Sequence, residues 1–131
     1  NEIPDPGAEN TFRKSCLQWQ ERKSGKSKDL LEFYSLALRI RKKKLVPQLS
    51  KIEYRKAFWH IFEETCISAV WPLTDGTKIV FLANFGDIEK PISHDYCPPL
   101  GEVWFETERE LVKKIKEDEK IPPVFGGWFF G

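Results

Sequence analysis

Cys66 to Phe85 reads CISAVWPLTDGTKIVFLANF. Apolar residues recur at alternate positions on both sides of Thr74-Asp75-Gly76, the pattern of two antiparallel strands joined by a tight turn. The turn sets the register. A two-residue Asp75-Gly76 loop would pair Trp71 with Val80. A three-residue loop, with Gly76 left-handed in a bulge, pairs Leu73 with Thr77, Trp71 with Ile79 and Ala69 with Phe81. The second choice puts Ile67, Ala69, Trp71, Leu73, Ile79, Phe81, Ala83 and Phe85 on one face. A one-residue slip would scatter them. The expectation is therefore the bulged turn, with that set as the core face.

Working outward, Ala57 to Phe62 reads as a strand, Glu63-Glu64-Thr65 as a turn, and Cys66 to Leu73 and Thr77 to Phe85 as the hairpin. Gly86 to Leu100, with Pro91, Pro98 and Pro99, reads as a loop. Glu102 to Glu106 is a short strand. Glu108 to Glu119 is an amphipathic helix carried by Leu111, Val112 and Ile115. Val124 to Phe130 closes the chain as a strand, where Gly126-Gly127 suggests a bulge or close backbone contact. Ser27 to Lys44 is a helix, capped by Ser27 and closed by Lys42, Lys43 and Lys44. Its apolar residues Leu30, Leu31, Phe33, Tyr34, Leu36, Ala37, Leu38 and Ile40 cover most of the circumference, which implies burial on more than one side. Pro47 is expected to stop it. Residues 1–25 read as irregular, held to a surface by Phe12, Leu17 and Trp19.

The chain has 131 residues, 40% hydrophobic and 14% aromatic, enough for a packed core and incompatible with intrinsic disorder. Lys+Arg number 21 against 20 Asp+Glu, and a net charge of +1 gives no electrostatic case for nucleic acid or a membrane surface. No apolar run approaches the ~20 residues of a membrane span, and no secretory leader opens the chain. Three Cys, an odd count without paired spacing, point to reduced thiols and a cytoplasmic setting. Met is absent even from position 1, and Asn1-Glu2-Ile3-Pro4-Asp5-Pro6 reads as the interior of a longer chain.

Few residues invite chemistry. His94-x-x-Cys97 with His60 and Cys66 could make a Cys2His2 set, but Cys97 precedes two prolines and the pairs fit no zinc-ribbon spacing, so no metal site is expected. Ser93-His94-Asp95 sets triad residue types side by side, where adjacent side chains do not face one another. Glu63-Glu64, Glu102 and Glu106 read as solvated carboxylates, and Arg39 to Lys44 as cations favoured at a helix C-terminus. There is no phosphate-binding glycine loop. The reading assigns no catalytic residue and no cofactor. Trp19, Tyr96 and Trp104, in or beside irregular segments, are the candidate carbohydrate contacts; Trp71 is assigned to the core face.

Several segments carry a resemblance. Ile3-Pro4-Asp5-Pro6, Thr11-Phe12-Arg13-Lys14-Ser15-Cys16-Leu17-Gln18-Trp19, Leu36-Ala37-Leu38-Arg39-Ile40-Arg41 and Val46-Pro47-Gln48-Leu49 are similar to the end of the catalytic region of the malto-oligosyltrehalose trehalohydrolases, α-amylase-superfamily glycoside hydrolases. Trp71-x-Leu73-x-Asp75-Gly76, Leu82-Ala83-Asn84-Phe85 and Pro122-Pro123 resemble that family's C-terminal β-domain. Cys16 and Gln18 depart from the family's Lys and Asp, residues 108–119 are unusually charged, and Gly126-Gly127 replaces a more polar pair. The resemblance implies a mainly β fold with helices. Residues 1–50 would hold the last helix of a (β/α)8 barrel, and residues 51–131 a Greek-key-like antiparallel β-sandwich. It implies a non-catalytic portion whose parent releases trehalose from maltooligosyl trehalose, the catalytic carboxylates lying upstream of Asn1. Its partners would be the parent's barrel and, at its edge, maltooligosaccharide. The isolated chain would then self-associate through the uncovered helix. A free-standing carbohydrate-binding module and a protein–protein adaptor are the alternatives.

Overall fold

The bulged turn is present in the computed structural model, which describes residues 3–131; Asn1 and Glu2 lie outside the described residues. Gly76 adopts φ +85°, the Leu73 N–H donates to the Thr77 carbonyl at 2.8 Å, and Trp71 pairs with Ile79 and Ala69 with Phe81. Five antiparallel strands form the main sheet: β1 (Phe58–Phe62), β2 (Cys66–Pro72), β3 (Lys78–Asn84), β5 (Glu102–Glu106) and β7 (Phe125–Phe130). Their order across the sheet is β1-β2-β3-β7-β5. A two-stranded ribbon pairs β4 (Lys90–Pro91), inside the segment expected to be loop, with β6 (Lys120–Ile121). The chain is thus mainly antiparallel β with helices, and among the described residues this ribbon and a helix lie over one face of the main sheet.

The principal core lies on the face opposite the expected one. Cys66, Val70, Val80, Leu82, Phe125 and Phe129 pack beneath Cys97, Ile121, and Val112 and Ile115 of helix α3 (Leu111–Asp118). The expected face carries a smaller cluster, Leu73, Ile79 and Trp104, flanked by Ile40, Leu45 and Ile52. Trp71 and Phe81 stay half-buried there and Phe85 is exposed. Alternation fixes which side chains share a face, and here both faces are apolar. Which one is covered depends on where α3 and the ribbon return.

Polar groups in the main core are bonded, as burial requires. Asn84 donates through Nδ2 to the carbonyls of Ile88 (2.9 Å), Pro122 (3.1 Å) and Ile121 (3.3 Å). Its Oδ1 accepts from Thr65 Oγ1 and the Gly86 N–H, both at 2.9 Å. Ser68 donates to the Tyr96 carbonyl. Gly126 and Gly127 stay in register with Ala83 and Leu82, without a bulge; the bulge falls in β5 between Val103 and Phe105. Gly127 is a close contact instead. A Cβ there would sit 2.7 Å from Phe125 Cζ and 2.8 Å from Phe129 Cζ, so the two rings close over it.

Helix α3 starts later than the expected Glu108 because the Glu106 carboxylate accepts from the Glu110 and Val112 N–H groups at 3.0 Å each, fixing the first turn there. Residues 1–25 are not irregular throughout: α1 (Glu9–Ser15) and a 3₁₀ turn (Trp19–Lys23) form. Phe12, Leu17 and Trp19 are exposed rather than pinned. Helix α2 spans Gly25–Ile40, then continues through a wide π-type turn (Arg41–Leu45) into a 3₁₀ helix (Val46–Lys51). Pro47 does not end the helical run; it stands in the first turn of the 3₁₀ helix, where its missing N–H costs nothing. No residue of α2 is buried within this chain. The chain divides into two compact units at Leu36–Ala37, inside α2. Within the second unit, Ile52 bridges to Leu73, and the Thr74 N–H donates to the Lys51 carbonyl at 3.0 Å, tying the 3₁₀ helix to the hairpin.

Candidate functional site

Register sets a row of side chains across the less covered face. Trp59 lies opposite Ala69, Ala69 opposite Phe81, Phe81 opposite Trp128, and Trp128 opposite Phe105. Trp71, one step along the same face, stacks on Trp128 with ring centroids 5.6 Å apart and planes 18° from parallel. Phe81 lies against Trp128 at 4.9 Å. Trp59 is 64% exposed, while Trp71, Phe81, Phe105 and Trp128 are half-buried. Ala69 supplies only a methyl group between Trp59 and Phe81, two strands or about 10 Å apart. Ala69 itself is buried, and the arrangement is a row of aromatic rings across one face of the sheet. Such rings present apolar faces to another flat apolar surface.

The three carbohydrate candidates are not gathered here. Trp19 stands in the first unit, exposed, with the Arg22 guanidinium 5.8 Å over its ring. Tyr96 lies on the other side of the sheet, its ring 5.0 Å from that of His60 and 6.1 Å from that of Phe62. Trp104 is only 7% exposed and stacks on Phe130 at 4.8 Å, so its ring is sealed into the smaller cluster. Sequence reading missed Trp59, Phe81 and Trp128. The signal was available for the first two, since Phe62 and Cys66 flank a three-residue turn that puts Trp59 on the Trp71 face.

The reactive residue types are dispersed. His94 Nε2 lies 3.7 Å from Glu119 Oε1 at the surface. Cys97 is buried and its thiol is pushed up to about 11 by desolvation. Burial also raises Cys66, so neither thiol is an activated nucleophile. The hydrogen bond from Lys44, 2.6 Å away, holds the Glu102 carboxyl below its ordinary value. Among the described residues, no three of His, Cys, Asp and Glu stand close enough to hold a metal ion. A pocket lined by Ile92, His94, Cys97, Leu100 and Ile115 encloses about 170 Å³, below the ~300 Å³ of ordinary ligand sites. Among the described residues, no helix is long and apolar enough to cross a membrane.

No family model and no curated protein matches this sequence. The fold is similar to part of a Salmonella typhimurium protein, provisionally assigned as an alpha amylase, whose crystal structure was determined at 1.4 Å resolution. The TM-score is 0.78 at 22% identity, and the match covers 99% of this chain. This chain spans 20% of the length of that protein. At that identity the likeness is one of fold.

Proposed function

We propose that this chain is the non-catalytic C-terminal portion of an α-amylase-type glycoside hydrolase, resembling the trehalohydrolases that release trehalose from maltooligosyl trehalose. The observation that carries the reading is the fold match, which takes in 99% of this chain but only 20% of the larger protein. Two features support it. The stripe of α2 leaves Leu30, Leu31, Tyr34 and Leu38 each about half exposed or more, and each Leu left in water forgoes ~1.5–3 kcal/mol of burial. The parent's catalytic barrel, encoded upstream and working in the cytoplasm, is the body that covers it. The segments of sequence that resemble the trehalohydrolases, in turn, match the end of that family's catalytic region and its C-terminal β-domain. The role of residues 1–131 is then to stabilise the barrel and edge its glycan cleft.

The aromatic row favours a second reading, a carbohydrate-binding surface at Trp59, Phe81 and Trp128, with maltooligosaccharide as the ligand. The deciding experiment for the first reading is the reading frame upstream of Asn1. A continuous frame of several hundred codons, encoding a barrel with a carboxylate pair, supports it. A start codon immediately before Asn1 overturns it. On the same reading, the isolated chain turns over no α-glucan or maltooligosyl trehalose. Turnover abolished by one Asp or Glu substitution within it would refute the non-catalytic role.

A further inference from the structure

The two edges of the main sheet are built differently. At β5 the strand carries a bulge and ends in Glu102 and Glu106, devices that discourage pairing with another strand. At β1 none of these is present. All five residues Phe58–Phe62 pair with β2 without a register shift. The strand contains no proline and no carboxylate or ammonium group, and Phe58, Trp59 and Ile61 are 45%, 64% and 63% exposed. Among the described residues, no strand pairs with its outer edge. A straight, apolar, open edge is a template for another strand.

From this we propose that β1 is the interface of a homodimer, in which it pairs antiparallel with β1 of a second copy and joins the two sheets into one of ten strands. The occupant follows from the sequence around the edge. Arg55-Lys56 precede the strand and Glu63-Glu64 follow it. A two-fold axis perpendicular to the sheet keeps each face continuous, and it reverses one copy's strand against the other's. The register that overlaps all five residues sets His60 against His60 of the second copy. Phe58 then meets Phe62 of the second copy on the main-core face, and Trp59 meets Ile61 on the aromatic face. It also brings the Arg55-Lys56 end of each strand, which leaves a 3₁₀ turn at Tyr54–Lys56, toward the Glu63-Glu64 turn of the other. Lys56 and Glu64 are both exposed, and Lys56 already reaches Glu53 at 2.8 Å, so its ammonium lies at the surface. The edge is complementary to itself in hydropathy and in the charges that flank it. This interface uses residues distinct from α2, the helix through which the hydrolase reading has the isolated chain associate.

The test is sedimentation equilibrium on the 131-residue chain and its variants. The expected result is a reversible dimer. Ile61→Lys, at an exposed side chain, raises its dissociation constant about tenfold or more, and Leu38→Lys on α2 leaves it unchanged. Lys56→Glu weakens the dimer, and adding Glu64→Lys restores it. This pair keeps the test decisive should Ile61→Lys fail to fold. A chain that stays monomeric up to about 1 mM overturns the proposal. So does a dimer that resists Ile61→Lys, dissolves with Leu38→Lys, or is not restored by the charge exchange.

Discussion

Trp71 lies nearly flat on Trp128, ring centroids 5.6 Å apart, although they come from strands separated in the sheet by β3. The contact is diagonal, bridging over Phe81 and Ile79, and makes the aromatic face one surface rather than isolated rings. If that surface binds sugar, maltooligosaccharide at millimolar concentration should quench part of the Trp fluorescence. Trp128→Ala should reduce the change, whereas Trp104→Ala, sealed against Phe130, should leave the binding midpoint in place. An unquenched spectrum would leave the face without a glycan role.

Gly76 is needed for its backbone and not for space. Its φ is +85°, and nothing among the described residues lies within 4 Å of where a Cβ would stand. Gly76→Val should therefore destabilise the fold by about 1 kcal/mol or more, through strain at positive φ alone. Gly76→Asn should recover much of that loss, since Asn tolerates the left-handed region. Urea denaturation midpoints for the two variants check this.

Asn84 is the hub that joins β3 to the ribbon and to the turn after β1. Asn84→Ala removes the donor to three carbonyls and the acceptor for Thr65 and Gly86. Leaving buried groups unsatisfied costs roughly 1–3 kcal/mol each where water cannot reach them. The expected loss is about 2–4 kcal/mol, with faster amide exchange in residues 86–92 and 120–123. A variant as stable as the parent would show that water replaces the side chain.

The Cys97 thiol gives a pH signature. Burial lifts it to about 11 in the folded chain, while an unfolded thiol titrates near ~8.5. Above the unfolded value the unfolded chain gives up its proton first, so unfolding becomes easier as pH rises. The stability contributed by the buried neutral thiol is intact below about pH 8.5 and declines from there through the folded value. Denaturation midpoints measured at rising alkaline pH should fall in the parent chain and fall less in Cys97→Ala. At neutral pH, a thiol reagent should label Cys16, which is exposed, well before Cys66 and Cys97.

Much of the sheet was decided by local chemistry. The Asp75-Gly76 turn fixed the β2–β3 register because only a left-handed third residue closes it, and Asp75 supports it by accepting from the Thr77 N–H at 3.1 Å. The bounds of β5 and the turn at Glu63-Glu64-Thr65 were equally legible from residue pattern. What the sequence could not determine is which face of the sheet would be sealed. Both faces of β2 and β3 are apolar, so periodicity ranks them equally. The choice was made by distant segments, when Val112, Ile115 and Ile121 came back over Val80 and Leu82. The same reason hid the aromatic face, assigned to the core until α3 settled on the other side, and buried Trp104, whose neighbours in sequence gave no sign of Phe130. Local pattern sets the direction of a side chain; what covers it is set by contacts far along the chain.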